Sequence, residues 1–462
     1  MSTRAKAAAL AFALLAGGWM FATRGALRPN AFGYDFVAFY CASSVALGRA
    51  DPYRTEPLRT CEHRAGRQFR ADSKLVVPAP LPGYVLLLLT PFASLPYPLA
   101  LVLWTLLSLA AYAICVVTLV RFSGLSPPLV VASTALSLGF VSLFLGQLVP
   151  LALAALCLAA RALERERWWS AAGWFALAAV EPQLALPAIV AVAIARPGAR
   201  IPLCAAVAVL AAISLATLGV AENIEYFARV VPAQVAAEIV RADQLSPVAI
   251  AYRIGLGVAA AVKLGSVTYG LALALGVALG IGVARRTGLP AALAFVPPAV
   301  ALCGAPYIHI HHLAVALPAA LLLAGRTPWR TPALIALFAL CVPWIVPYDA
   351  TPYAPFAALC VAVLACGFLR ISPARGALLG LVTALLVLVV QASLVTPVPP
   401  PPSAYAGIAG SDLAQSGWNV LVGATLRGNA TVLTLLAIPA WTALAALVFA
   451  AFGARRGAAA PA

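Results

Sequence analysis

Residues 96–120 read PYPLALVLWTLLSLAAYAICVVTLV, a stretch without a single charged side chain. A helix needs about 20 apolar residues to cross a hydrocarbon core about 30 Å thick, so this stretch is long enough to span a membrane. The rest of the chain is similar, because 63% of its 462 residues are hydrophobic and 10% are charged. Soluble domains are about half apolar and about a quarter charged. The sequence therefore predicts an all-α polytopic membrane protein.

Apolar runs of this kind recur along the chain and predict about 11 to 14 transmembrane helices. They lie near residues 8–26, 96–120, 127–145, 147–162, 168–182, 184–196, 201–220, 263–284, 290–304, 311–325, 331–346, 354–370, 375–395 and 430–452. Several are short, which favours broken, tilted or re-entrant helices over full crossings. The first run follows Arg4 and Lys6 and predicts a retained signal-anchor helix within residues 1–26.

Clusters of arginine alternate with uncharged connections between these runs. The clusters lie at 161–167, 196–200, 285–286, 326–330, 370–375 and 455–456. Because cytoplasmic loops are enriched in Lys and Arg, the pattern predicts a multi-pass protein of the cell membrane with both termini in the cytoplasm. The predicted extracytoplasmic loops are 27–95, 221–262, 304–310, 346–353 and 396–429. Residues 96–330 then form a transmembrane core, and 331–462 contain the C-terminal helices.

The net charge of +16 comes largely from these short clusters. A nucleic-acid-binding surface would instead show a basic stripe interleaved with exposed aromatic residues. The sequence has no such stripe, so it predicts membrane lipids and no nucleic acid as partners.

Of the nine cysteines, Cys41 and Cys61 share the first extracytoplasmic loop, whereas the other seven lie inside apolar runs. Cysteines within apolar runs act as small hydrophobes. The loop faces an oxidising compartment in the predicted topology, so Cys41 and Cys61 form either a disulfide or two free thiols. Zinc sites show spacings such as CxxC or HExxH. Neither is present, and no metal ligand is predicted.

Asp35 lies just beyond the first apolar run, within the sequence GYDFVAFY at residues 33–40. Ionisable residues at a membrane edge are costly and are the first places to look for function. The aromatic neighbours would hold the carboxylate partly desolvated, making it a stronger base than an exposed aspartate. The alternative is an N-cap role at the start of an amphipathic helix over residues 36–47.

Three of the four histidines, His309, His311 and His312, stand together at the outer end of a predicted span. Such a cluster can bind a phosphate or a metal, or can relay a proton. The alternative is that these side chains only anchor the helix at the membrane interface.

Gln147, Glu181 and Gln183 also fall at the outer ends of predicted spans. A lone glutamine in a span often serves only to hydrogen-bond neighbouring helices. Even so, these residues map to the same face of the membrane as Asp35 and the histidines. This convergence predicts an active site in a cavity of the outer leaflet.

Residues 30–330 contain a series of short motifs that become specific through their order and spacing. The motifs are Asp35-Phe36 with Tyr40 and Asp51-Pro52-Tyr53, then Pro78-Ala79-Pro80, Leu95-Pro96 and Trp104, then Gly146-Gln147, Glu181-Pro182-Gln183 and His311-His312. In these motifs the chain resembles glycosyltransferase family 87. Members of that family include bacterial polyprenol-phosphate-mannose-dependent mannosyltransferases with the GT-C membrane fold.

The resemblance implies a GT-C-type fold and a membrane hexosyltransferase that works on the extracytoplasmic face. The enzyme would move a hexose, with mannose as the expected sugar, from a polyprenyl-phosphate donor to a hydroxyl of a lipid or glycan acceptor, with inversion. GT-C enzymes usually take their catalytic base from the first extracytoplasmic loop, and Asp35 occupies that place. No cofactor is implied, because the lipid-linked donor is itself the activated substrate.

The remaining candidate residues would bind the donor or the acceptor. They are Tyr40, Gln147, Glu181, Gln183, Arg253, His309, His311 and His312. Arg253 and the pair His311-His312 are expected to contact the donor phosphate, since cationic donors form strong hydrogen bonds to phosphate oxygens.

The chain departs from the family pattern at several points, of which Glu181-Pro182 is the most important. The family commonly has Lys-Pro there, so a cation is exchanged for an anion. The Asn-Gln-Ser stretch of the family is also replaced, by DQLS at residues 243–246. A lipid or solute transporter or flippase is the main alternative function, followed by an oligosaccharide ligase and a non-catalytic scaffold. Transporters typically place ionisable residues in mid-span on broken helices, whereas here they concentrate at span ends.

Overall fold

A computed structural model of the protein describes residues 33–65, 76–137, 139–239, 244–341, 412–416 and 430–456, with short pieces at 372, 374–382, 385 and 418. Five predictions lie wholly or mostly outside these residues, one of which is the loop at 346–353. The other four are the signal anchor at 1–26, the spans at 354–370 and 375–395, and the loop at 396–429.

The described part of the chain is built from helices, and its only β-pairing is one isolated bridge between Arg54 and Leu413. The α-helices are α1 Tyr34–Leu47, α2 Thr55–Ala65, α3 Gly83–Ala93, α4 Tyr97–Ser123, α5 Pro127–Leu136, α6 Gly139–Leu145, α7 Val149–Glu164, α8 Trp168–Ala178, α9 Pro182–Ala195, α10 Arg200–Glu225, α11 Val231–Glu238, α12 Pro247–Arg253, α13 Val258–Thr287, α14 Ala292–Ala301, α15 Ala316–Arg326, α16 Arg330–Cys341 and α17 Ala430–Arg456. The predicted all-α polytopic membrane fold is confirmed.

Three described helical stretches are long and apolar enough to cross a membrane, namely Tyr97–Ser123, Pro197–Glu238 and Val258–Thr287. At a rise of about 1.5 Å per residue, α4 is about 40 Å long, which exceeds the hydrocarbon core. Its side chains divide into two faces. Trp104 is buried in the bundle, whereas Val117 is 67% exposed, as expected of a side chain that faces lipid.

One predicted span is divided into two helices, and other helices contain a glycine or proline that disturbs the regular hydrogen bonding. The continuous span predicted over 127–145 is divided into α5 and α6. Gly219 interrupts α10 with φ 83° and ψ 178°, a conformation that residues with a side chain rarely adopt. Pro187 lies inside α9, and Pro297 and Pro298 lie inside α14, where each removes a backbone hydrogen-bond donor.

The centre of the bundle is α14, which is buried along its whole length and packs against α9, α13 and α15. Two glycines of α13 permit the close approach of α14. A Cβ added at Gly276 would lie 2.7 Å from the Pro297 carbonyl oxygen, and one added at Gly280 would lie 2.6 Å from Pro297 Cγ. Small residues serve the same purpose between other membrane helices, because they let backbones approach closely.

The bundle has two chemically different ends. At one end, Arg326 donates from Nε to the Phe122 carbonyl at 2.8 Å and from Nη2 to the Arg121 carbonyl at 3.0 Å. Arg121 in turn pairs with Glu164 at 3.5 Å. These contacts join the C-terminal ends of α4, α7 and α15. Gln147 precedes the N-terminus of α7 and the histidines precede that of α15, so the candidate site and these arginines lie at opposite ends.

Candidate active site

Asp35 lies in the first turn of α1, where the partial positive charge of a helix N-terminus stabilises a carboxylate. Gly33 occupies the N-cap position, with a left-handed φ of 71°. The alternative interpretation of Asp35 as an N-cap residue is therefore wrong. The Asp35 side chain is half-buried, and its Oδ2 accepts a hydrogen bond from Gln147 Nε2.

The turn between α6 and α7 positions Gln147 against α1. Gly146 has φ 75°, and a Cβ added to it would lie 2.6 Å from Phe36 Cβ. Only glycine therefore allows this turn to approach α1 so closely. The Gly146 carbonyl also accepts a hydrogen bond from Trp104 Nε1 at 2.9 Å. The motif Gly146-Gln147 thus serves both the packing of α1 and the contact to Asp35.

An aromatic cluster supports this arrangement from the side of α4. The Phe36 ring stacks on Trp104 with centroids 5.1 Å apart and lies 6.1 Å from Tyr97. The hydroxyl of Tyr40, predicted to bind a substrate, donates to the Leu95 carbonyl at 2.8 Å. Motifs that are far apart in the sequence therefore pack together around the N-terminal half of α1.

The three histidines lie at the start of a 3₁₀ turn, Ile310–Val315, in which His309 is the N-cap residue. The His309 and His311 rings stack with centroids 5.2 Å apart, and those of His311 and His312 are 4.4 Å apart. The backbone N–H of His309 donates to His312 Nδ1 at 3.1 Å. Because Nδ1 accepts this bond, the neutral His312 ring carries its proton on Nε2. His312 can therefore act as a hydrogen-bond donor through Nε2.

The packing of the helices brings Asp35 and the histidines to the same end of the bundle. Helix α1 contacts α6, and both α6 and α7 contact the turn Ile310–Val315. Gln147 lies between α6 and α7 and bonds to Asp35. The Gln147 turn therefore connects the carboxylate to the histidine cluster.

Glu181 and Gln183 lie at the start of α9, close to the histidines. Gln183 Nε2 donates to Glu181 Oε2 at 2.6 Å, and the hydroxyl of Tyr269 donates to the Gln183 carbonyl at 2.7 Å. Glu181 is buried and interacts electrostatically with His309. The structure thus places a buried carboxyl group near the histidines at the position where the family commonly has a lysine.

Glu238 was missed by the sequence analysis, and the structure places it against the histidine cluster. Its side chain is 3% exposed, and Oε2 lies 3.3 Å from His309 Nε2. Oε1 accepts from Gln234 Nε2 at 2.8 Å, and Oε2 accepts from Gln244 Nε2 at 3.0 Å. The available signal was the four-residue spacing of Gln234 and Glu238, which places both on one face of a helix.

Arg253, predicted to contact phosphate, is the last residue of α12, and its side chain lies outside the described part of the structure. The described residues also contain no group of three or more metal-ligating side chains suited to hold a metal ion.

A disulfide joins Cys41 of α1 to Cys61 of α2, with Cα atoms 5.7 Å apart. The neighbouring Glu62 is fully buried, and its Oε2 accepts from the Val77 backbone N–H at 3.0 Å. Its Oε1 has no hydrogen-bond partner among the described residues. Burial raises the pKa of Glu62 to about 8, and the Val77 hydrogen bond offsets only part of this rise.

The described residues define a helical membrane protein with a carboxylate and three histidines at the end opposite Arg121 and Arg326. Residues 82–303 match the model of glycosyltransferase family 87. This match confirms the resemblance over residues 82–303. No curated protein and no solved structure matches the chain. The family indicates a glycosyltransferase. The matched region includes Gln147 and Glu181, whereas Asp35 precedes it and His309 follows it.

Proposed function

We propose that the protein transfers a hexose, with mannose as the expected sugar, from a polyprenyl-phosphate donor to a hydroxyl of a lipid or glycan acceptor. The reaction inverts the anomeric carbon. The observation that carries this proposal is the hydrogen bond between Asp35 and Gln147, which holds a half-buried carboxylate at the histidine-bearing end of the bundle.

Asp35 is the proposed catalytic base. The acceptor hydroxyl attacks the anomeric carbon while the bond from that carbon to the phosphate oxygen breaks, and Asp35 takes the hydroxyl proton. The polyprenyl phosphate leaves with the bonding electron pair. Gln147 orients the carboxylate by donating to Oδ2. One carboxylate suffices, because a phosphate is already a good leaving group and needs no acid to protonate it.

The histidines are the proposed donors to the departing phosphate. Hydrogen-bond donors aimed at developing charge are among the largest contributions to catalysis. His312 carries the Nε2 proton in its neutral form, and it lies beside His311 and His309. Glu181 places a carboxyl group nearby, so the N–H groups of the histidines and the guanidinium of Arg253 are the proposed donors to the phosphate.

We place the reaction on the extracytoplasmic face of the cell membrane. The support is the alternation of arginine clusters with uncharged connections. It also includes the separation of the candidate site from Arg121 and Arg326, which lie at the other end of the bundle. Both the donor and the membrane lipids would reach the site from the same leaflet.

Sugar transfer by the purified protein in lipid nanodiscs tests the proposal. The substrates are polyprenyl-phosphate mannose and a lipid extract of membranes that contain the protein. Wild-type protein should produce a mannosylated product, and Asp35→Asn should abolish it without loss of thermal stability. Glu164→Gln is the control, because Glu164 pairs with Arg121 at the opposite end of the bundle.

Two results would overturn the proposal. One is transfer by Asp35→Asn at the wild-type rate. The other is movement of lipid across vesicle membranes with no sugar transfer by the wild-type protein, which would establish the transporter alternative.

A further inference from the structure

We infer that Glu238 is a positioning residue for His309, and that hydrogen-bonded amides extending from the C-terminal segment 412–416 hold Glu238 in place. This inference rests on the proposed function, because it assigns His309 to the binding of the donor phosphate. It adds a carboxylate and a distant segment of the chain to the site.

Two amides on either side of Glu238 have defined orientations. The Ile308 backbone N–H donates to Gln244 Oε1 at 2.9 Å, so the Gln244 Nε2 must face the other way, toward Glu238. Gln415 Nε2 donates to Gln234 Oε1 at 3.3 Å, so the Gln234 Nε2 likewise faces Glu238. Both amides therefore donate to the carboxylate. Donors of this kind stabilise the ionised form of a buried acid.

An ionised Glu238 next to His309 determines how the imidazole ring is placed. A carboxylate beside a ring nitrogen selects the tautomer that carries a proton on that nitrogen and orients the ring. Here the nitrogen is Nε2, 3.3 Å from Glu238 Oε2. The other charged or titratable groups near His309 are Glu181, His311, His312 and Tyr307.

The position of His309 also affects His312. The His309 backbone N–H donates to His312 Nδ1, and the backbone N–H of His312 donates to the His309 backbone carbonyl at 3.0 Å. A shift of the His309 ring away from Glu238 would therefore disturb the turn that presents His312. Through His309, Glu238 acts on the whole group of proposed phosphate donors.

The C-terminal end of the amide chain is firmly attached to the first loop. The Thr55 N–H donates to the Asp412 carbonyl at 2.7 Å, and the Ala414 N–H donates to the Tyr53 carbonyl at 2.9 Å. Gln415 is 1% exposed. This segment lies well beyond the family-matched residues 82–303, so the chain adds its own support to the site.

Donor kinetics of Glu238→Gln test the inference. Because His309 is proposed to contact the phosphate both in the bound donor and as its charge develops, the donor KM should rise by about tenfold and kcat should fall as well. The affinity for farnesyl phosphate, measured by calorimetry without turnover, should fall by a similar factor. Glu164→Gln is the matched control, since Glu164 lies at the opposite end of the bundle.

A double-mutant cycle separates positioning from a merely structural role. If Glu238 acts through His309, then Glu238→Gln combined with His309→Ala should bind farnesyl phosphate no more weakly than His309→Ala alone. Gln415→Ala, a milder change, should raise the donor KM in the same direction by about twofold. Should Glu238→Gln fail to fold, Gln415→Ala carries the test.

Three outcomes would overturn the inference. The first is an unchanged donor KM in Glu238→Gln. If Glu238→Gln does not fold, the second is an unchanged donor KM in Gln415→Ala. The third is that the losses of affinity for farnesyl phosphate caused by Glu238→Gln and His309→Ala add in full in the double variant. Each of these presupposes an active wild-type protein. A wild-type protein that transfers no sugar from any polyprenyl-phosphate donor would instead refute the proposed function.

Discussion

The Gln147 amide donates to the carboxylate of Asp35 although 112 positions separate the two residues in the chain. The contact joins the first loop of the protein to the turn between two core helices. It also relates the candidate base, which precedes the family-matched region, to a motif inside that region. The arrangement makes the orientation of Asp35 dependent on the packing of α6 and α7.

Gln147→Leu should reduce the rate of sugar transfer by about tenfold, because the variant keeps the size of the side chain but removes the donor that orients Asp35. The affinity for the donor should change little, since the amide acts on the base. The measurement is kcat and KM with polyprenyl-phosphate mannose. A kcat equal to that of the wild type would show that the Asp35 contact has no role in transfer.

Gly146→Ala should destabilise the protein by about 2 kcal/mol, because it places a side chain at a positive φ and against Phe36. It should also lower transfer by displacing Gln147. Thermal unfolding and transfer assays measure the two effects. Gly173→Ala is the matched control, since Gly173 lies in α8 and an added Cβ would meet nothing within 4 Å. Equal unfolding temperatures for the two variants would contradict the steric argument.

Glu62→Gln should make the protein more stable at alkaline pH. Burial raises the folded pKa of Glu62 from 4.5 to about 8, so folding favours the protonated form. The stabilisation of the folded wild type by this pKa difference is fully present below pH 4.5. It is lost progressively as the pH rises to about 8. Each unit of pKa difference corresponds to about 1.4 kcal/mol, so the benefit of the glutamine should grow across this range.

The measurement for Glu62 is the unfolding temperature of both proteins between pH 5 and pH 9. Glu56→Gln in the same helix is the control, because its side chain is 49% exposed and exposed ion pairs contribute little. A stability difference between wild type and Glu62→Gln that is independent of pH would refute the assignment.

Alkylation of the denatured protein should add two more adducts after reduction than before it, because Cys41 and Cys61 are joined. Intact mass spectrometry gives the number of adducts directly. The variant Cys41→Ser/Cys61→Ser should lose this difference. Equal adduct numbers with and without reductant in the wild type would mean that the two thiols are free.

The sequence predicts the long helices well because their apolar character is continuous. The span predicted over 96–120 corresponds to α4, and the one predicted over 263–284 lies inside the longer α13. The short helices were harder to predict, since the division of 127–145 depends on local backbone geometry within a uniformly apolar run. Hydrophobicity identifies a membrane segment but does not identify where its helix breaks.

The candidate site was only partly accessible to prediction. Asp35 and His309 stand out because polar residues are rare in this chain, and both lie where a span ends. The roles proposed for them remain predictions. Glu238 did not stand out, because its importance comes from its contact with His309 in the folded chain. A sequence shows which side chains are unusual, whereas only the fold shows which of them meet.

Arg54 forms ion pairs with Asp51, Glu225 and Asp412, which come from early, middle and late parts of the chain. A ribosome delivers these three carboxylates to the membrane in that order. The last pairing, and with it the Gln415 contact to Gln234, can form only after residue 415 has been synthesised and inserted. This end of the bundle therefore gains its last contacts late in the synthesis of the chain.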